Sequence, residues 1–278
     1  MPSTISDFTV NVNDTVYIDR WGISTLAEFI TALGLQVWNK SPREVYIKAL
    51  IEDPNSNWTF DDNTTTKQLG KVDGFNYENF YVNLKRAVPS TDVEDEQFTL
   101  KIEFYKDNSY SQKVDTLSKT ITVNIIDFRN TAGWTTQIDD FDDCTAQGWS
   151  LSGFTVSSSA SVNPNGCSLT FTKTSSSGTA YIAKSISVPT GVQKATLVFY
   201  YGVAGYGTYK DESELRVYVN NTKVFSLRSD GKKGGWWQSS IDLTQYAGQN
   251  ITVKIEEYLK AWGSVTFALD DIIFAYKS

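Results

Sequence analysis

The sequence predicts an all-β protein built as two successive β-sandwiches. Three observations carry this. Short runs rich in β-branched and aromatic residues recur along the chain, many with period-two alternation. Turn-forming clusters such as "DPNSN", "VDGFN", "PSTD" and "KDNS" separate them. The length, 278 residues, is long for one core and suits two domains of roughly 130 residues each.

The first half supplies "DFTVNV" (7–12), "TVYI" (15–18), "EVYIKALIED" (44–53), "FYVNLKRA" (80–87), "FTLKIEFY" (98–105) and "KTITVNIID" (119–127). In "FTLKIEFY", Phe98, Leu100, Ile102 and Phe104 share one face, and Thr99, Lys101 and Glu103 the other. That is a strand with one wet side. "STLAEFITALG" (24–34) has helical periodicity, from Ser24 as N-cap to Gly34 as stop, with a pair of strands as the alternative. "FRNTAGWTTQ" then loses alternation, so the domains are placed at 1–127 and 139–278 with a linker over 128–138.

The second half continues with "SLTFTK" (168–173), "AYIAKSISV" (180–188), "ATLVFYYGV" (195–203), "ELRVYVNNTKVFSL" (214–227), "WWQSSIDLT" (236–244), "NITVKIEEY" (250–258) and "SVTFALDDIIFAY" (264–276). Inside the fourth, "VNNT" at 219–222 marks a hairpin turn.

Composition removes several functions. Net charge is −7, with no lysine-arginine block. The electrostatic footprint of a nucleic-acid binder is missing, and no membrane partner is expected. No stretch approaches the apolar length of a spanning helix. Histidine is absent, which removes the usual general base and every Ser-His-Asp or Cys-His nucleophile system. Acid runs such as "EDEQ", "KDES" and "IEEY" read as solvated faces rather than a glycosidase pair, so no enzymatic activity is expected. Of the two cysteines, Cys144 and Cys167, two readings stand: a disulfide, or two buried thiols. The Ser-, Thr- and Asn-rich body without an export signal suggests an extracellular or virion-surface protein.

Two resemblances follow from the strand series. The span from "LQVWNKSPREVYIKALIEDP" to "TITVNIID" resembles immunoglobulin-like modules of archaeal and bacterial surface proteins, though it lacks their Cys…Trp…Cys signature. Residues 139–278, from "DDFDDCTAQGWSLSGF" through "IDLTQYAGQNITVKI" to "LDDI", resemble jelly-roll domains of the carbohydrate-binding-module and galactose-binding-like class. Together they imply an immunoglobulin-like β-sandwich followed by a jelly-roll β-sandwich. In the resembled jelly-rolls the first and last strands lie side by side and commonly hold a structural Ca²⁺. Its ligands here would be Asp140, Asp142 and Asp271. The plainer reading is a solvated acidic turn.

For a sugar site, "WWQSSIDL" is the most suggestive stretch. Alternation puts Trp237 with Ser239, Ile241 and Leu243 on the core face and turns Trp236 outward. An exposed indole is a stacking platform for the C–H face of a sugar. The competing reading packs Trp236 under a loop or against the first domain. Tyr206 and Tyr209 in "FYYGVAGYGTYKDE" and Trp262 in "YLKAWGS" complete an expected aromatic rim, or else cover core edges separately. The partner expected is a glycan or glycosylated surface, reached as a virion surface or attachment component. The alternatives are a structural subunit of a capsid, filament or surface layer, assembling with itself or other coat proteins, and an accessory carbohydrate-binding module of a glycoside hydrolase.

Overall fold

The computed structural model describes residues 7–278 except 25, 159–165, 175, 205–207, 210–212 and 229–235. The described residues are all-β apart from two short 3₁₀ turns. It divides into two compact units, Met1–Val16 with Ile23–Asn124, and Tyr17–Gly22 with Ile125–Ser278. Among the described residues no helix is long and apolar enough to cross a membrane.

The strands of the first unit are β1 Phe8–Val12, β2 Thr15–Asp19, β3 Glu28–Asn39, β4 Val45–Glu52, β5 Trp58–Phe60, β6 Thr66–Val72, β7 Asn76–Ala87, β8 Val93–Tyr105 and β9 Lys113–Ile126, with β2 and β9 running on into the second unit. They form a four-stranded sheet ordered β1-β3-β7-β5 and a five-stranded sheet ordered β2-β9-β8-β4-β6. Phe98, Leu100, Ile102 and Phe104 are all buried, as the alternation of β8 requires. They meet Val37, Val82, Leu84 and Trp58 in one apolar core, where Trp58 contacts both Phe29 and Phe98.

Of the span 24–34 expected as a helix or a pair of strands, residues 28–34 lie in the single strand β3. Phe29, Thr31, Leu33, Leu35 and Val37 alternate into the core, and the strand pairs with β7 along its whole length. Ile30 and Ala32 on the opposite face blur this period in the sequence. Leu and Ala also carry high helix propensity, which burial against a sheet overrides.

The second unit contains β10 Trp134–Asp139, β11 Ser150–Ser152, β12 Thr155–Ser157, β13 Ser168–Thr174, β14 Ser177–Ser187, β15 Lys194–Ala204, β16 Thr208–Tyr209, β17 Glu214–Val219, β18 Thr222–Arg228, β19 Trp236–Asp242, β20 Asn250–Trp262 and β21 Ser264–Lys277. One sheet is ordered β12-β13-β21-β15-β19, with β10 also on β21. The other is ordered β11-β14-β20-β17-β18, with β16 also on β20. Alternate residues of both sheets are buried: Leu197, Phe199, Tyr201, Phe267 and Leu269 from the first, Ile182, Leu215, Val217, Val253 and Ile255 from the second.

The stretch read as a linker is structured. Its last five residues, with Asp139, form β10, paired with β21 from Trp134↔Lys277 to Asp139↔Ile272. Phe128 and Trp134 are buried in a second cluster with Tyr17, Ile126, Val198, Tyr200, Ile273 and Ala275. Val198, Tyr200, Ile273 and Ala275 alternate with inward residues of β15 and β21. The sheet is therefore apolar on both faces, and residues 17–22 and 125–134 cover the second face. Large rings at only two positions, Phe128 and Trp134, do this without a periodic pattern.

Candidate functional site

Trp236 starts β19 and is half-buried, packed against the Tyr17–Trp134 cluster. The solvent-facing indole expected from alternation is not there, because residues 17–22 lie over that face of the strand. The Tyr17 amide donates to Ser240 Oγ at 2.8 Å. Asp19 N–H donates to Gln238 Oε1 at 2.8 Å, and Gln238 Nε2 returns a bond to Asp19 O at 3.0 Å. Gln238 and Ser240 thus hold a strap of backbone, and Trp236 packs beside it. Tyr206 lies outside the described residues. Tyr209 and Trp262 belong to one backbone ribbon, with Thr208 opposite Trp262 and Tyr209 opposite Ala261.

Beneath the strap sits a buried ionic network. Register shifts between Val198 and Tyr200, which pair with Ile273 and Asp270. The extra residue is a bulge in β21 in which Asp271 takes φ 41°. This is costly for a non-glycine residue and re-aims its side chain. Arg129 donates from Nη1 to Asp19 Oδ2 at 2.7 Å and from Nη2 to Asp271 Oδ2 at 2.9 Å. Tyr200 Oη donates to Asp19 Oδ2 at 2.9 Å, and the Arg129 guanidinium lies 3.9 Å over the Trp21 ring. Burial pushes Asp271 up to about 7, against Arg129 and with help from Asp270, Asp19 and Asp140. Burial also raises Asp19, which Arg129 and Tyr200 oppose. One guanidinium between two buried carboxylates is a structural clamp.

The expected calcium ligands are not gathered. Asp271 faces Arg129. Asp140 accepts from Gln147 Nε2 at 2.9 Å and from the Asp142 amide at 3.2 Å. Asp139 accepts from Lys184 at 2.6 Å and Trp149 Nε1 at 2.9 Å. Among the described residues no three acidic, cysteine or histidine side chains are placed together to hold a metal ion. Cys144 and Cys167 form a disulfide with Cα atoms 5.2 Å apart.

The surface best built for recognition is the outward face of the β11-β14-β20-β17-β18 sheet. Strand pairing sets its rows: Thr179–Tyr258–Glu214, then Tyr181–Glu256–Arg216, then Ala183–Lys254–Tyr218. Three tyrosines therefore stand on three successive rows and three different strands. Tyr181 is 39% exposed, and Tyr218 and Tyr258 are half-buried. Lys254 Nζ lies 4.0 Å from the Tyr218 ring centroid and 5.5 Å from that of Tyr181. Arg216 lies 5.7 Å from Tyr258. Glu256 sits between them, accepting from Lys254 at 2.8 Å, Tyr218 Oη at 3.2 Å and Arg216 at 3.3 Å. Burial raises Glu256, but Lys254, Tyr218 and Arg216 outweigh it and hold the carboxyl below its ordinary value. A group so held is a fixed acceptor and a poor general acid. The alternation of "AYIAK", "ELRVYV" and "ITVKIEEY" contained this face. Only cross-strand register brings the three rings together.

No family model matches the chain, and no curated protein is similar to it. Solved structures to which the chain is similar include a carbohydrate-binding module in complex with β-1,4-galactotriose, 13% identical, covering 50% of this chain and 94% of that one, with a TM-score of 0.36. A family 35 carbohydrate-binding module from Clostridium thermocellum is 15% identical over 52% of this chain and 99% of that one, with a TM-score of 0.34. A third, studied for mannan recognition, is 12% identical over 53% and 100%, with a TM-score of 0.33.

Proposed function

We propose that the chain is a non-catalytic glycan-recognition protein whose second unit, a jelly-roll in this reading, binds saccharide on the tyrosine-bearing sheet face. The observation that carries the reading is the arrangement of Tyr181, Tyr218 and Tyr258 around the Lys254–Glu256–Arg216 network. Aromatic faces cover the C–H surface of sugar rings, and fixed charged groups take hydroxyls. A rigid sheet pre-pays the ordering cost that flexible loops would add on binding. The Cys144–Cys167 disulfide supports an extracellular or virion-surface location, since such bonds persist in oxidising surroundings. In that setting the chain is an attachment component or an accessory module to another activity.

A glycan array with wild type and Tyr181→Ala/Tyr258→Ala tests the site. Signal from wild type and its loss in the double variant is the expected result. Equal signal from both proteins removes this face from recognition. Trp262→Ala in the same experiment examines the β16–β20 ribbon as an alternative contact.

A further inference from the structure

The first unit carries its own exposed aromatic surface, on the outward side of the β1-β3-β7-β5 sheet. Trp38 of β3 and Tyr77 of β7 are paired across the ladder. Their ring centroids are 4.7 Å apart at an interplanar angle of 32°, and they remain 38% and 43% exposed. Phe75, two residues before Tyr77, is 74% exposed.

The row beside the rings is made of amides. Asn11, Gln36 and Asn79 are cross-strand neighbours. Asn11 Nδ2 donates to Gln36 Oε1 at 3.5 Å, and Gln36 Nε2 donates to Asn79 Oδ1 at 3.3 Å. Trp38 Nε1 donates to the same Gln36 Oε1 at 3.0 Å. The indole is thereby pinned by its polar edge, with its ring still open to solvent. The chain of amides ends in Asn11 Oδ1 on one side and Asn79 Nδ2 on the other, an acceptor and a donor.

The Phe75 turn is also fixed in advance. Asn39 is 1% exposed. Its Nδ2 donates to Arg43 O at 2.7 Å, Val72 O at 3.2 Å and Asp73 O at 3.2 Å. Its Oδ1 accepts from the Ser41 amide at 3.0 Å and hydroxyl at 2.7 Å. The Phe75 amide donates to Ser41 O at 2.9 Å. Gly74 is required here, because a Cβ would stand 2.4 Å from Pro42 O. Phe75 itself has φ 55°, a conformation that costs a bulky residue energy and persists only when surroundings impose it. A phenylalanine held this way and left in water stabilises nothing by burial.

We infer that this face is a second binding site, for a neutral polysaccharide chain. Its rings and amides carry no charge, unlike the Lys254–Glu256–Arg216 face, so the complementary ligand is polyhydroxylated and uncharged. Phe75 stands on the turn that leads into β7, one residue before the strand begins, and Tyr77 lies on the strand itself. Neutral side-chain amides supply paired donors and acceptors to hydroxyls without the desolvation cost of a charge.

The test is affinity electrophoresis of the full chain in gels containing soluble neutral polysaccharides, galactomannan and mixed-linkage β-glucan, with dextran sulfate as the charged control. Wild type is expected to be retarded by at least one neutral polymer. Trp38→Ala/Tyr77→Ala should weaken that binding by about tenfold or more, equivalent to about 1.4 kcal/mol. Tyr181→Ala should retain it, which separates this site from the face on the second unit. Trp38→Phe should restore much of it, with thermal melts showing that each variant is folded. Absence of retardation by any neutral polymer overturns the inference. So does equal retardation of the double variant, or a wild-type dimer that the double variant turns into a monomer.

Discussion

Replacing Arg129 with methionine removes the shared partner of two buried carboxylates while keeping an unbranched side chain. Asp19 and Asp271 are 0% and 5% exposed, and the guanidinium bonds them at 2.7 and 2.9 Å. Removing one partner of a buried pair costs about 3–5 kcal/mol. The structure supplies a ceiling. A carboxyl with an ordinary value of 3.8 escapes its buried charge by taking a proton, which at pH 7 costs about 4 kcal/mol per group. At pH 5 the same protonation costs roughly 1.6 kcal/mol. Asp271 already lies at about 7 and Asp19 is raised as well, so part of the cost of each is present in wild type. Both groups are raised on folding. Their contribution is therefore fully present at low pH and is lost as pH rises through the folded values. The variant should lose about 3–5 kcal/mol near pH 7, a midpoint drop on the order of 10 °C, and only roughly 1–2 kcal/mol near pH 5. Tyr200, Asp127, Asp140 and Asp270 stand beside the same two carboxyls in both proteins, so their influence largely cancels in the difference. Thermal melts by circular dichroism at pH 5, 7 and 8.5 measure it. A deficit under about 1 kcal/mol at pH 7, or one independent of pH, refutes the clamp.

Other outcomes follow from the same contacts. Gly22→Ala should be strongly destabilising in a urea titration, because its Cβ would stand 1.8 Å from Tyr200 Oη and 2.5 Å from the ring carbon that bears it; a loss under about 0.5 kcal/mol would count against this packing. Cys144→Ser/Cys167→Ser opens a crosslink spanning 23 residues and should cost about 3 kcal/mol, with wild type in reductant matching it. Millimolar calcium or chelator should leave the melting midpoint unmoved, since Asp271 is engaged by Arg129; a rise with calcium would show a cation site that the side-chain placement does not provide.

Alternation made much of the fold legible. β8 and β20 bury the residues that period two selects, because each has one side on a core. The sequence lost its force where one strand face met something far away in the chain. Trp236, Gln238 and Ser240 look like a solvent face until Tyr17 and Asp19 arrive from 219 to 223 residues upstream. Asp271 defeats register counting by sitting in a bulge at positive φ. The tyrosine face was hidden differently: each of its rings is one unremarkable outward position, and only the ladder through β20 makes them neighbours.

Residues 17–22 also set an order of events. They leave the ribosome early, yet their partners in β15, β19 and β21 are made near the end of synthesis. Until then Asp19 stays hydrated and the apolar strip around Tyr200 has no lid. Closure of such a distant pairing is slow, and the half-made barrel-side surface is a target for holdase chaperones. A C-terminal fragment starting at Ile125 would lack only residues 17–22 of that cover, and supplying this hexapeptide in trans is the way to shut it.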